Sequence, residues 1–186
     1  ILPRFGVLMQ LPYDMDQSTY YGRGPVNNYA DRKSGQFIGK YQSRVADQFI
    51  HFPKPQTMAN REDVRWVSLR DAAGKGLLFV TDSVMTSSAL PWSALDLMLA
   101  PHPHELPPAG DTHLVLSAST TGLGGNSCGQ GPPLAAYQTL GKPQVFSLLL
   151  RPLRFEGDET KYAKVSFSGS IAPAMMRSPQ GLVSVI

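Results

Sequence analysis

Cysteine occurs once in the 186 residues, at Cys128. No internal disulfide can staple the fold, and the redox compartment is left open. Charge is sparse as well. Asp, Glu, Lys and Arg make up 17% of the chain, and 17 basic residues narrowly exceed 14 acidic ones, for a formal charge of +3. The bases are scattered with no Lys/Arg block, which argues against nucleic acid as a partner. No apolar run approaches the ~18 residues of a bilayer-spanning helix, so no membrane partner is expected. Glutamate is rare, limited to Glu62, Glu105, Glu156 and Glu159. Turn residues are abundant instead, with 17 glycines and 16 prolines. The apolar runs between them are too regular for disorder. The length suits one domain able to bury roughly 70% of its unfolded surface. The chain opens on Ile1-Leu2-Pro3-Arg4 with no Met and closes on Leu182–Ile186, which reads as mid-strand. Both ends look cut from something longer, and a targeting segment would then lie outside this sequence.

Apolar residues recur mainly with period two. Arg4–Leu11 places Phe5, Val7, Met9 and Leu11 on one face. Asp63–Leu69 alternates in the same way, Asp71–Gly76 supplies turn residues, and Leu77–Thr81 is a short apolar run, which together read as a hairpin. His113–Ser119 alternates again, and Val145–Phe155 is a long strand candidate. Only Ser93–Ala100 offers helical spacing, through Trp92, Leu95 and Leu99; Pro91, Pro101 and Pro103 hold it to about two turns. Many short strands with Gly/Pro turns predict an all-β fold, an antiparallel β-sandwich. The charged break at Glu156–Lys161 places a boundary near 155–160: residues 1–155 form one domain, and 156–186 are a C-terminal extension or the start of a further β module. No internal repeat is apparent.

The stretch Gly22-Arg23-Gly24-Pro25-Val26-Asn27-Asn28-Tyr29-Ala30-Asp31-Arg32 is too specific for an ordinary turn. A turn needs Gly, Pro or Asn, but not an aromatic and an Asp/Arg pair straight afterwards. Such a loop belongs to a surface that meets a ligand or another domain. Asp31 and Arg32 are expected to rigidify it as a local ion pair. Tyr20, Tyr21 and Tyr29 flank it and could face an interdomain interface, while Trp66 and Trp92 sit in apolar repeats and read as core rather than ligand platforms.

Other segments carry possible chemistry beside a plainer reading. His102-x-His104 puts two imidazoles on one side of an extended chain with Glu105 adjacent, yet a metal site needs a third convergent ligand. The surrounding prolines suggest instead a proline-rich connection with surface histidines, and no metal site is expected. Gly122-Leu123-Gly124-Gly125 has the glycines of a phosphate loop, but no Lys-Ser/Thr closes it. Ser127-Cys128 has no His/Asp partner at a recognisable spacing for a nucleophile. Glu62 and Asp63 abut a strand whose register would put them on opposite faces, so no catalytic residue is expected within the chain, and a glycosidase needs two positioned carboxyl groups.

These blocks together carry a resemblance. Leu2-Pro3-Arg4-Phe5-Gly6, then Tyr21–Pro25 running to Asn28–Arg32, resembles the opening of the C-terminal small-chain domain of glycoside hydrolase family 2 β-galactosidases. Asn60-Arg61-Glu62-Asp63-Val64-Arg65-Trp66, His104-Glu105-Leu106 and Gly122–Gly129 agree in order and spacing, and Phe146–Pro152 is similar to the family's last strand. The resemblance covers about residues 1–153. It implies a large antiparallel β-supersandwich similar to the galactose mutarotase fold. It also implies a role within an enzyme that hydrolyses terminal β-D-galactosides, whose catalytic glutamates lie in a separate (β/α)8 barrel. The isolated chain would be inactive and without cofactor, and its partners would be that barrel and, through the parent, the β-galactoside. The glycine-rich loop would reach the active-site rim, with Asn126, Ser127 and Cys128 as substrate-binding residues. Cys128 stands where many members place a sugar-stacking Trp. An indole would bury about 80 Å² more than a thiol, or ~2 kcal/mol at ~25 cal/mol per Å², so weaker aglycone stacking, or an aromatic supplied by another domain, is expected. The plainer alternative is a non-catalytic carbohydrate-binding or structural module, with Cys128 a small buried hydrophobe.

Overall fold

A computed structural model describes residues 1–56, 58–125, 131–154, 157 and 159–164. The alternating run at the start forms strand β1 (Arg4–Leu11), with Met9 and Leu11 turned to the core. β2 (Gln17–Gly24), β3 (Phe37–Arg44), β4 (Arg61–Arg70), β5 (Gly76–Leu90), β6 (Thr112–Thr120) and β7 (Leu148–Leu153) follow. All pairings are antiparallel, in the order β1-β6-β5-β4-β2-β3, with β7 added beside β5. The all-β class expected from the alternation is what the chain builds.

β5 organises the two halves of this sheet. Gly76–Thr81 pairs β7 on one side and β4 on the other, whereas Thr86–Leu90 pairs β6. Between them Asp82, Ser83 and Val84 are exposed. The register with β4 jumps there from Trp66↔Val80 to Val64↔Met85, so β5 advances further than its partner and bends. The bend lets residues from both halves meet. Leu11, Leu114 and Leu116 from β1 and β6 share one cluster with Val67 and Leu69 of β4 and Phe79 of β5. Each buried Leu or Phe contributes about 1.5–3 kcal/mol, so this shared core is what holds the sandwich closed.

The opposite face of β4 and β5 is also covered. Trp66, Leu78, Val80 and Leu153 form a second cluster against which Ala163 of helix α2 (Glu159–Ala163) packs. Trp66 is therefore core, as its apolar repeat predicts. α2 is anchored by Glu159, whose Oε1 accepts from Arg70 Nε at 2.9 Å.

Helix α1 (Ala94–Leu99) begins with a capping box between Ser93 and Asp96. Its buried residue is Leu97, while Leu95 and Leu99 are exposed. The stripe expected through Trp92, Leu95 and Leu99 is thus not the docking face. Trp92 precedes the N-cap and lies outside the helix; it packs on a cluster of Met58, Ala59, Leu90 and Leu97 and donates from Nε1 to Pro107 O at 2.8 Å. Among the described residues no helix is long and apolar enough to cross a membrane.

Candidate functional site

The opening loop leaves β2 through Gly24 and a cis Gly24–Pro25 peptide. Its shape is set by the buried amide of Asn28. Nδ2 donates to Arg23 O at 3.0 Å and Val26 O at 2.9 Å, and Oδ1 accepts from Glu62 N at 2.8 Å. Asn60 completes a reciprocal arrangement: Asn28 N donates to Asn60 O, and Asn60 Nδ2 donates back to Asn28 O, both at 2.8 Å. Every polar group an Asn offers is used here. Two sequence blocks far apart in the chain are thereby zipped together. Tyr20 and Tyr29 are buried beside this junction, while Tyr21 is partly exposed and stacks on Trp66 with ring centroids 6.4 Å apart.

The end of the loop reaches a third block. Asp31 Oδ1 accepts from Leu123 N at 3.1 Å and Oδ2 from Gly124 N at 2.7 Å, and Arg32 Nη2 donates to Gly124 O. The local ion pair expected of Asp31 and Arg32 is replaced by a clamp on a distant backbone. The tight Tyr29–Arg32 turn brings both side chains to backbone amide and carbonyl groups of that loop, which they satisfy. Gly122 permits the approach, because a Cβ there would stand 2.6 Å from Asp31 Cγ. Gly124 and Gly125 both have positive φ, at 75° and 108°. Gly122 N also donates to Tyr137 O at 2.8 Å, and Thr121 and Thr139 bond the Leu2-Pro3 entry. Asn126, Ser127 and Cys128, the substrate-binding residues expected from sequence, lie outside the described residues. A Cβ on Gly124 would stand 3.3 Å from Gly131 O, so the two described ends of their segment are neighbours.

Beside the clamp lies a cleft of about 250 Å³ lined by Lys33, Glu62, Asp63, Thr86, Ser119 and Tyr137, among others. Glu62 and Asp63 border this same cleft, contrary to the alternation expected of them. Asp63 has φ 55°, and β4 spends three steps from Arg61 to Val64 where β5 spends two. This bulge breaks the period-two geometry. Ala59, with φ 63°, brackets the block on its other side.

The two carboxyl groups are held differently. Burial raises the Glu62 pKa above the ordinary value, against the opposing amide of Asn60, whose Nδ2 bonds Oε1 at 2.8 Å. Burial also pushes the Asp63 carboxyl up, but Lys33 and Arg23 outweigh it and hold the group below its ordinary value. Lys33 Nζ lies 2.9 Å from Oδ1 and Arg23 Nε 2.6 Å from Oδ2. A pair split in this way can serve acid–base chemistry. Here both carboxylate oxygens of Asp63 are engaged by cations, and Glu62 is tied to Asn60, so the pair fixes the bulge. Sequence reading missed these contacts; two buried-type amides in separate Gly/Asn-rich blocks were the available signal.

A family model described as Beta galactosidase small chain matches residues 1–150. A β-galactosidase of Arthrobacter sp. (strain B7) is 31% identical over 156 residues, covering 81% of this chain and 15% of that protein. A β-galactosidase of Lactobacillus delbrueckii subsp. bulgaricus is 35% identical over 154 residues, covering 82% and 15%. One of Halalkalibacterium halodurans is 33% identical over 132 residues, covering 70% and 13%. The chain spans about 15% of the length of the relatives it matches.

Proposed function

This chain belongs to the β-galactosidase small-chain family, and on that premise we propose that it is the rim-forming β-sandwich domain of an enzyme hydrolysing terminal β-D-galactosides. Its task is to hold the Gly122–Gly125 loop, and with it Asn126, Ser127 and Cys128, at the edge of an active site. The catalytic carboxyl groups belong to a (β/α)8 barrel elsewhere in the parent enzyme. The observation that carries this reading is the clamp of Asp31 and Arg32 on the glycine-rich loop. Asp31, Arg32 and the loop they hold lie outside the described core clusters; what the clamp fixes is the position of an exposed loop. The engagement of Glu62 and Asp63 by structural partners supports placing the acid and the nucleophile outside this chain.

Such a domain assists through positioning, where a misplacement of about 1 Å can cost 10²-fold in rate. The test compares hydrolysis of a chromogenic β-galactoside by this chain alone and by protein in which it is joined to a barrel domain. Turnover is expected only from the joined protein. Turnover by the chain alone would overturn the assignment of the carboxyl groups to the barrel.

A further inference from the structure

The connection after α1 brings together three groups that the rim role does not use. His102 Nδ1 lies 2.7 Å from Glu105 Oε1, and His104 Nε2 lies 3.9 Å from the same oxygen. One ligand atom from each of the three residues falls within 4.8 Å of the others. We propose that His102, His104 and Glu105 form a binding site for a divalent first-row transition ion of the Zn²⁺, Ni²⁺ or Cu²⁺ class.

The geometry is close to what such an ion requires. A metal about 2.0–2.1 Å from each of two ligand atoms holds them about 3.4 Å apart at the tetrahedral angle. The 2.7 and 3.9 Å separations to Glu105 bracket that value and the two imidazole nitrogens lie within 4.8 Å of each other, so side-chain rotation brings the three onto one ion. The backbone is already arranged. Pro103, between the histidines, opens a short 3-10 turn, and Glu105 N donates to His102 O at 3.0 Å. That turn sets the imidazoles side by side, their centroids 5.5 Å apart and their planes 15° from parallel. Glu105 thus supplies the third convergent ligand that the His-x-His pattern by itself lacks.

The donor set selects the ion. Two imidazole nitrogens and one carboxylate oxygen suit borderline transition ions; Mg²⁺ and Ca²⁺ prefer all-oxygen shells. The three side chains are 60%, 80% and 41% exposed, so ions enter freely and water fills the remaining coordination positions. An ion held by these three side chains tethers the 101–108 connection. It stands independently of the rim role.

The experiment uses protein carrying this chain, stripped with a chelator and dialysed against Zn²⁺ or Ni²⁺, with bound metal measured by elemental analysis. The parent protein is expected to take up one more equivalent than a His102→Asn/His104→Asn variant. Glu105→Gln should weaken that equivalent by at least the roughly 10–100-fold that loss of an outer-shell partner costs. His51→Asn and His113→Asn should leave it unchanged. A second readout needs no variant: Ni²⁺ at low stoichiometry should broaden the imidazole resonances of His102 and His104 first. Equal uptake by parent and double variant overturns the proposal, as does broadening that begins at His51 or His113.

Discussion

Asp31 binds two successive backbone amides of a loop more than ninety residues further along the chain, Leu123 N at 3.1 Å and Gly124 N at 2.7 Å. The contact joins the Gly22–Arg32 loop to the glycine-rich loop, and the Asn28–Asn60 exchange joins the former to β4. Three blocks that are separate in sequence are thereby one rigid unit.

Asp31→Ala should release the glycine-rich loop while leaving the core intact. A hydrogen bond to a charged group contributes about 1.5–3 kcal/mol, so amide exchange at Leu123 and Gly124 should accelerate about 10-fold or more, read by hydrogen exchange. Gly122→Ala should give a similar local effect, since its Cβ would displace the carboxylate.

Asn28→Ala should be severely destabilising. It strands the buried Glu62 N and removes the donor from two part-buried loop carbonyls. At about 1–3 kcal/mol for each buried group left unmade, the expected loss is about 3 kcal/mol or more in denaturant unfolding. An unchanged midpoint would contradict the zipped junction.

The Glu62 and Asp63 carboxyl groups should give opposite pH signatures. Burial raises the folded pKa of Glu62 above its ordinary value of 4.5, so its contribution is most favourable at low pH and is lost as pH rises through the folded pKa. Glu62→Gln should therefore gain stability relative to the parent protein as pH increases above 4.5. Asp63 has a folded pKa below 3.8, with its burial outweighed by Lys33 and Arg23, so its stabilisation is present above 3.8 and is lost in stronger acid. The deficit of Asp63→Asn should shrink below pH 3.8. Chemical unfolding across this range measures both.

Glu159→Ala should test the docking of α2. Side-chain exposures of 8% for Arg70 and 6% for Glu159 place this ion pair inside the protein. Breaking a buried pair costs about 3–5 kcal/mol; Arg70 retains the Gly74 carbonyl, so the lower end, about 3 kcal/mol, is expected by thermal or denaturant unfolding.

Much of the framework is legible in the sequence where one face is apolar and the other is not. β1 appears at Arg4–Leu11 as its alternation predicts, and β4 and β6 follow theirs within two residues. β2 and β3 are not, because β2 buries Ser18, Thr19 and Tyr20 rather than aliphatic residues, and β3 is a largely exposed edge strand. β5 runs to fifteen residues because its second half buries Thr86, Ser87 and Ser88, which carry no hydrophobic signal. At the site, the blocks are recognisable but their contacts are not. The bulge rests on a non-glycine φ of 55° at Asp63, and the clamp on a contact of long sequence separation. Periodicity encodes neither.

The most direct test of the rim role is kcat/KM for a chromogenic β-galactoside, measured on the barrel-joined protein and on its Asp31→Ala variant, with thermal stability recorded for both. The account predicts a fall of about 10-fold or more, in keeping with the sensitivity of catalysis to misplacement of about 1 Å, at a nearly unchanged melting temperature. An unaltered kcat/KM, with the Leu123 and Gly124 amides shown to be released, would contradict it.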